Sequence, residues 1–234
     1  MLNWSAGDMI IVVFPYFLRY WVAQGNLLAT VKIFGFDIAI VSAFFAIMMS
    51  VCIFFIPFWL WIARLYNKRV AYMFGMGFWV IVQMMFFTIQ PGQVNYLLVI
   101  AALTGVGVSA AYVLPDSLFA DIIEWDELRT RRRQEGIYFG IRALIRKLAG
   151  ALVVFLALQS LGWFGYQIPP DGVTQFTQPD SALLVIRLLV APFGALMLSG
   201  TIILAWFFPL SREQYTRIQK LLERRRERLA QQRS

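Results

Sequence analysis

Arg19, Arg142, Arg146 and Lys147 lie inside stretches that are otherwise apolar. At bilayer depth a charge costs roughly 2.5 to 3.5 kcal/mol on the insertion scale, so three of them on one segment face protein, water or a solute rather than lipid. Arg142 and Arg146 stand four residues apart and share a helix face. Lys147 is turned about 100° from Arg146, and Tyr138 extends the Arg142 face by one turn. Such a wall can bind an anionic group of a solute or pair with carboxylates of a facing partner. Arg142, close to the start of its segment, can also snorkel to the headgroups, whereas Lys147 lies nearest the midplane. Arg19 sits between Tyr16 and Tyr20 at helical spacing, where it either lines a polar path or packs on the aromatic rings.

Other reactive chemistries lack their raw material. The sequence holds no histidine and a single cysteine, Cys52, which rules out disulfides, His/Cys metal sites and Ser/His or Cys/His catalysis. Asp8, Asp37 and the acids between Asp116 and Glu135 form no embedded dyad with a plausible base, so no enzymatic activity is expected. The net charge of +8 sits in short clusters between apolar runs, a pattern that marks topology and not a nucleic-acid partner.

The elements that position these residues are membrane helices. With 60% hydrophobic and 15% charged residues and a mean hydropathy of +0.67, the chain cannot build a water-facing surface. Crossing a bilayer takes roughly 20 mostly apolar residues, and the stretches 9–28, 38–63, 70–89, 94–114, 137–161 and 182–208 qualify. Runs such as Ile38-Ala39-Ile40-Val41 are apolar on every side, unlike alternating barrel strands. The expected fold class is an all-α membrane protein: six transmembrane helices over 1–208, then a basic amphipathic tail over 209–234. Met1–Ser5 lacks a basic n-region, so the first apolar segment is expected to stay in the protein. Pro57 and Pro192 predict kinks. Gly105, Gly107 and the pair Gly136 and Gly140 predict close helix approach.

Lysine and arginine set the orientation. Arg64, Lys68 and Arg69, then Arg129, Arg131, Arg132 and Arg133, then the tail from Arg212 to Arg233 share one side, against Lys32 alone on the other. The positive-inside rule therefore predicts a multi-pass protein of the plasma or bacterial inner membrane with both termini cytoplasmic. Between the fourth and fifth spans, Asp121, Glu124, Asp126, Arg129, Arg133 and Glu135 read as a loop whose ion pairs bias one conformation over another, with plain solvation as the equal alternative. The stretch 162–181 is expected to be an ordered external cap, with Asp180 capping the last helix.

Ala120-Asp121-Ile122-Ile123-Glu124-Trp125-Asp126-Glu127-Leu128-Arg129-Thr130, followed by Arg133-Gln134-Glu135-Gly136-Ile137-Tyr138, resembles the signature of the glycoside-pentoside-hexuronide:cation symporters. This is the melibiose-permease-like branch of the major facilitator superfamily. Leu148-Ala149-Gly150-Ala151, Gly165-Tyr166, Phe208-Pro209-Leu210, Pro15-Tyr16-Phe17-Leu18-Arg19-Tyr20 and the run from Trp61 to Arg69 extend the likeness to nearly the whole chain. All of it matches the carboxy-terminal half of the family.

The resemblance implies one six-helix half of a major-facilitator fold, working by alternating access around a midplane cavity. It implies cation-coupled symport of a sugar or related solute across the lipid bilayer. It implies that Lys147 faces carboxylates of a second six-helix half, either a separate chain or a missing segment. No cofactor is expected on this half alone, and the coupling cation, Na+ or H+, is expected at sites completed by the other half. A lysophospholipid is the alternative solute of the wider branch, and a non-transporting membrane scaffold the alternative from another class. Phe14, Phe17, Tyr112 and Tyr138 are the aromatic candidates to stack on a sugar ring or line an acyl path.

Overall fold

A computed structural model describes residues 2–33, 35–130 and 134–207. The basic tail and Arg131, Arg132 and Arg133 lie outside the described residues. Six long helical segments follow one another along the chain. The helix α1 (Leu2–Tyr16) runs into a π turn, Phe17–Val22. A hairpin of β1 (Thr30–Ile33) and β2 (Phe36–Ala39) leads to α2 (Ile40–Leu65), α3 (Lys68–Met85), α4 (Val94–Thr130) and α5 (Glu135–Trp163). The last segment is α6 (Asp180–Leu188), a π turn at Leu189–Phe193, and α7 (Gly194–Trp206).

Local chemistry sets the boundaries. The first span ends earlier than the expected residue 28, because Gln24 (φ 52°) and Gly25 (φ 82°) turn the chain out of helical space. A β-carbon at Gly25 would lie 2.3 Å from the Phe176 carbonyl oxygen, so only glycine fits there. The β-hairpin, paired from Thr30↔Ala39 to Ile33↔Phe36, occupies the expected loop and the first two residues of the expected second span. The Asn67 side chain accepts the Arg69 backbone N–H at 3.2 Å and starts α3. Asp180 lies in the first turn of α6 and not at its N-cap, a position held by Pro179. Pro192 does fall at an irregularity, the π turn between α6 and α7, while α2 passes through Pro57 as one helix.

A larger correction concerns α4. The sequence suggested a span ending at Leu114 and then a charged loop, yet the helix continues through Pro115 for 37 residues in all. At 1.5 Å per residue it is about 55 Å long, well beyond a hydrocarbon core of about 30 Å. Glu, Leu, Trp and Arg in its last turns are good or neutral helix formers, and nothing before Thr130 stops them.

The core lies where α2, α3 and α4 pack together and where α7 joins α3 to α1. Phe14, Phe17, Phe86, Met9, Met76 and Leu18 are fully buried in it. Gly75, Gly105 and Gly107 make the close approaches: a β-carbon would lie 2.3 Å from the Ala110 β-carbon, 2.4 Å from the Met48 carbonyl and 2.7 Å from the Trp79 β-carbon. Gly136 and Gly140, expected to do the same, have no neighbour within 4 Å among the described residues. The outer surface is apolar, with Phe54 78% and Phe74 70% exposed, as lipid solvation allows.

The all-α membrane class stands. Ile40–Leu65, Lys68–Thr88, Val94–Glu127 and Asp180–Trp206 are long and apolar enough to cross a membrane by length and composition. The other two segments, α1 with its π turn and α5, are those that carry Asp8, Arg19, Arg142, Arg146 and Lys147.

Candidate functional site

Those two polar helices pack against each other, with Gly150 at their contact. A β-carbon on it would lie 2.7 Å from Asp8 Oδ2, so the missing side chain seats the Asp8 carboxylate between α1 and α5. Beside this contact opens a cleft of about 750 Å³ whose charged lining is Asp8, Asp116, Arg142, Arg146 and Lys147. Three cations face two carboxylates.

Each cation is held differently. Arg142 pairs with Asp116 and lies over the Phe119 ring at 4.6 Å from its centroid, so α4 anchors it. Arg146 stacks over Trp4 at 4.2 Å, and Trp4 meets Tyr112 edge to face at 4.7 Å. Lys147 lines the cleft, and among the described residues neither it nor Asp8 has an ion-pair partner. The reading of Arg142 as a cation near a helix end is met by a specific partner on α4, while Lys147 stays addressed to the open side.

Behind the cleft, and sharing Trp4, Asp8 and Arg146 with it, lies a recess of about 250 Å³ inside the bundle. Its walls are aromatic: Phe14 packs on Phe44 at 4.2 Å and on Phe86 at 5.2 Å. Phe14 and Tyr112 line it, whereas Phe17 is core and does not. Trp4, Trp79 and Gln83 are among its lining residues, and Trp4 Nε1, Trp79 Nε1 and Gln83 Oε1 are buried without a hydrogen-bond partner among the described residues. Gln83 is wholly buried, and its Nε2 donates to the Val190 carbonyl in the π turn before α7. A buried oxygen left unpaired is costly, which sets Gln83 apart from the apolar residues around it.

The remaining expected residues are dispersed. Tyr138 lies near Asp126 and does not line the cleft. Arg19 and Tyr16 do not line it either: they lie about 12 to 17 Å along α1 from Asp8, at the opposite end of the bundle. There Tyr16 packs edge on against Tyr166 at 5.3 Å, and the Tyr20 and Tyr166 hydroxyls are 3.1 Å apart. The outer loop is tied down at the same end, by Phe176 N–H to the Gly25 carbonyl and by Gln178, whose side chain bonds both backbone groups of Gln167. Burial and the hydrogen bond with Tyr20 push the Tyr166 phenol up from its ordinary value.

The expected gating loop is a helix end instead. Asp121, Glu124, Asp126 and Arg129 belong to the last turns of α4, and Glu135 opens α5. Arg133 lies outside the described residues. Among the described residues Glu124 Oε2 is buried without a partner, and Asp126 lies near Tyr138 where α4 and α5 meet.

Sequence reasoning missed Asp8, Trp4, Asp116 and Gln83. Asp8 fell one residue outside the expected first span, and Asp116 was grouped with the loop. Gln83 carried a usable signal, as the one amide in the apolar third span.

The donor set does not by itself fit a coupling cation. Asp8 is outnumbered by neighbouring cations, and among the described residues no three acids gather around one point. No step is assigned to such an ion on this half.

Residues 1–212 match the family described as MFS/sugar transport protein. The chain is 38% identical over 171 residues to an uncharacterized symporter of Synechocystis sp., covering 72% of this chain and 31% of that protein. It is 27% identical to the sodium-dependent lysophosphatidylcholine symporter 1 of Gallus gallus, covering 90% and 39% of the two chains. It is 26% identical to an uncharacterized symporter of Bacillus subtilis, covering 67% and 33%. The chain thus spans about a third of the length of these relatives.

Proposed function

Because the chain belongs to the MFS/sugar transport protein family, we propose that it forms one six-helix half of a secondary active transporter, with the α1–α5 cleft as its wall of the translocation pathway. The observation that carries this reading is that Asp8 and Lys147, in a cleft open on one side, have no ion-pair partner among the described residues. Charges at bilayer depth are tolerated where they meet water or a partner, and a second six-helix half would supply both. In this reading Lys147 pairs with carboxylates of that half, Arg146 is braced by Trp4 to meet a solute, and rocking of the halves exposes the cleft to each side in turn. The coupling cation takes its site largely from the second half, which would supply oxygen ligands for Na+ or a carboxylate to protonate for H+. Both termini face the cytoplasm, on the side that gathers Arg64, Lys68 and Arg69.

A sugar or related solute is the first substrate class, read through Trp4, Tyr112 and the buried Gln83 oxygen. A lysophospholipid is the second reading, favoured by one observation: the charged cleft leads directly into an aromatic recess, an order that suits a headgroup followed by an apolar chain.

The test is gradient-driven uptake by the assembly that contains this chain, reconstituted in vesicles, with labelled sugar and labelled lysophospholipid as separate substrates. Lys147→Ala is expected to abolish coupled uptake of whichever is carried. Unchanged uptake would remove Lys147 from the mechanism, and an assembly that carries neither substrate under a Na+ or H+ gradient would favour a scaffold.

A further inference from the structure

On another face of the bundle, sharing no residue with the cleft or the recess, α3 and α7 leave an open groove of about 790 Å³. Its floor is apolar, formed by Met73, Phe74, Phe78, Ile81 and Ile202, and Gly77 deepens it because nothing lies within 4 Å of where its side chain would be. Phe74, Ile81 and Trp206 are 70%, 64% and 64% exposed, a surface that only lipid solvates well.

The groove has a polar end. The Arg69 guanidinium donates to the Trp206 carbonyl and lies 5.8 Å from the Trp206 ring, which holds the charge at the groove's mouth on the basic side. Asn67 caps α3 beside it and also lines the groove, so the positive helix terminus points to the same place. From Arg69 to Ile81 the helix rises about 18 Å, close to one leaflet of a hydrocarbon core about 30 Å thick plus the start of its headgroup layer. A basic mouth above an apolar trough of one leaflet's depth is complementary to one kind of molecule.

We propose that the α3–α7 groove binds one anionic phospholipid of the leaflet on the basic side, with its phosphate at Arg69 and an acyl chain along Met73, Phe74, Gly77 and Ile81. Trp206, amphipathic and placed at the headgroup level, closes the end beside the phosphate. The site is independent of the transport reading, since it needs only a bilayer.

Native mass spectrometry of the purified full chain in detergent, titrated separately with phosphatidylglycerol and phosphatidylcholine, tests it. One phosphatidylglycerol is expected to be retained about fivefold more tightly than phosphatidylcholine, the equivalent of the ~1 kcal/mol that a basic residue contributes near an anionic surface. Arg69→Gln, which keeps a donor for the Trp206 carbonyl, is expected to erase that preference. Gly77→Phe, whose β-carbon enters open space and whose ring occupies the trough, is expected to weaken both lipids. Equal retention of the two lipids by the unaltered chain would overturn the proposal, as would indifference to Gly77→Phe. A preference that survives Arg69→Gln but vanishes when residues 209–234 are removed would assign the anion to the tail and overturn it too.

Discussion

Asp8 and Gly150 occupy the same point between two helices: the carboxylate oxygen of one stands 2.7 Å from the position a β-carbon would take on the other. The obstructing atom is the tip of a side chain and not backbone, so it can swing away. Gly150→Ala is therefore expected to keep the α1–α5 pair and move the carboxylate. Thermal melting should shift by no more than about 2 to 4 °C, the effect of a change of ~1 kcal/mol in a protein of this size, while uptake by the assembly falls severalfold. A large melting shift with full uptake in the surviving protein would show that the glycine serves packing alone.

Gly105 presents the opposite case. Its nearest atoms would be the Met48 carbonyl at 2.4 Å, the Val51 β-carbon at 2.9 Å and the Cys52 amide at 3.1 Å, two of them backbone that cannot rotate aside. Gly105→Ala should force α2 from α4 and cost about 1 to 3 kcal/mol, the usual range for overpacking. Gly140→Ala, with nothing within 4 Å, should be neutral or gain up to about 1 kcal/mol from helix propensity. Denaturant unfolding in detergent measures both.

These glycines also mark how far the sequence was legible. Continuous apolar runs disclosed the membrane class and the approximate place of each helix, because lipid demands the same signal everywhere along a span. Spacing alone could not tell Gly140, whose β-carbon would meet nothing among the described residues, from Gly105, whose β-carbon would meet backbone, since a small residue permits an approach without causing one. The extension of α4 was hidden by Pro115 and by the charges after it, which hydropathy scores as loop although they are compatible with helix. The cleft was half visible: cations inside a span stand out, but Asp8 gained its meaning from the helix start at Leu2 and from Gly150 on a helix far away in sequence.

Gln83 separates stability from recognition. Its Nε2 is bonded to the Val190 carbonyl and its Oε1 is buried without a partner. Gln83→Leu removes one made and one unmade interaction, so stability should change by less than about 1 kcal/mol. If the oxygen receives a solute hydroxyl, the loss of that bond should lower uptake about two- to tenfold, the equivalent of roughly 0.5 to 1.5 kcal/mol. Unfolding curves read beside uptake check the two halves of the expectation, and unaltered uptake would make Gln83 a packing residue.

The outer cap should respond to alkali. Burial and the Tyr20 hydroxyl favour the neutral Tyr166 phenol in the folded protein. A folded-state value raised above the unfolded one, about 10 for tyrosine, means that the contribution is complete below that pH and is lost as pH rises through the folded value. Melting temperature should fall with pH above about 10, and Tyr166→Phe should flatten that part of the fall. Parallel profiles for the two proteins would remove Tyr166 as the cause.

Arg142 and Lys147 lie on one helix and line one cleft, yet their surroundings predict different roles. Arg142 is bound to Asp116, whose side chain is 59% exposed, and rests on Phe119. Water screens the acid, so a double-mutant cycle on the pair should give a coupling of only about 0.2 to 1 kcal/mol. Arg142→Gln keeps a polar reach to Asp116 and should leave most uptake intact, with a small loss of stability. Lys147 has no partner within the described chain, so its charge stabilises nothing here, and Lys147→Ala should cost little or no stability while eliminating coupled uptake. Measuring melting and uptake for both variants distinguishes an anchor from a pathway residue. If Arg142→Gln stops transport and Lys147→Ala does not, the two assignments exchange, and the anion-facing position of the cleft moves one turn toward the basic side.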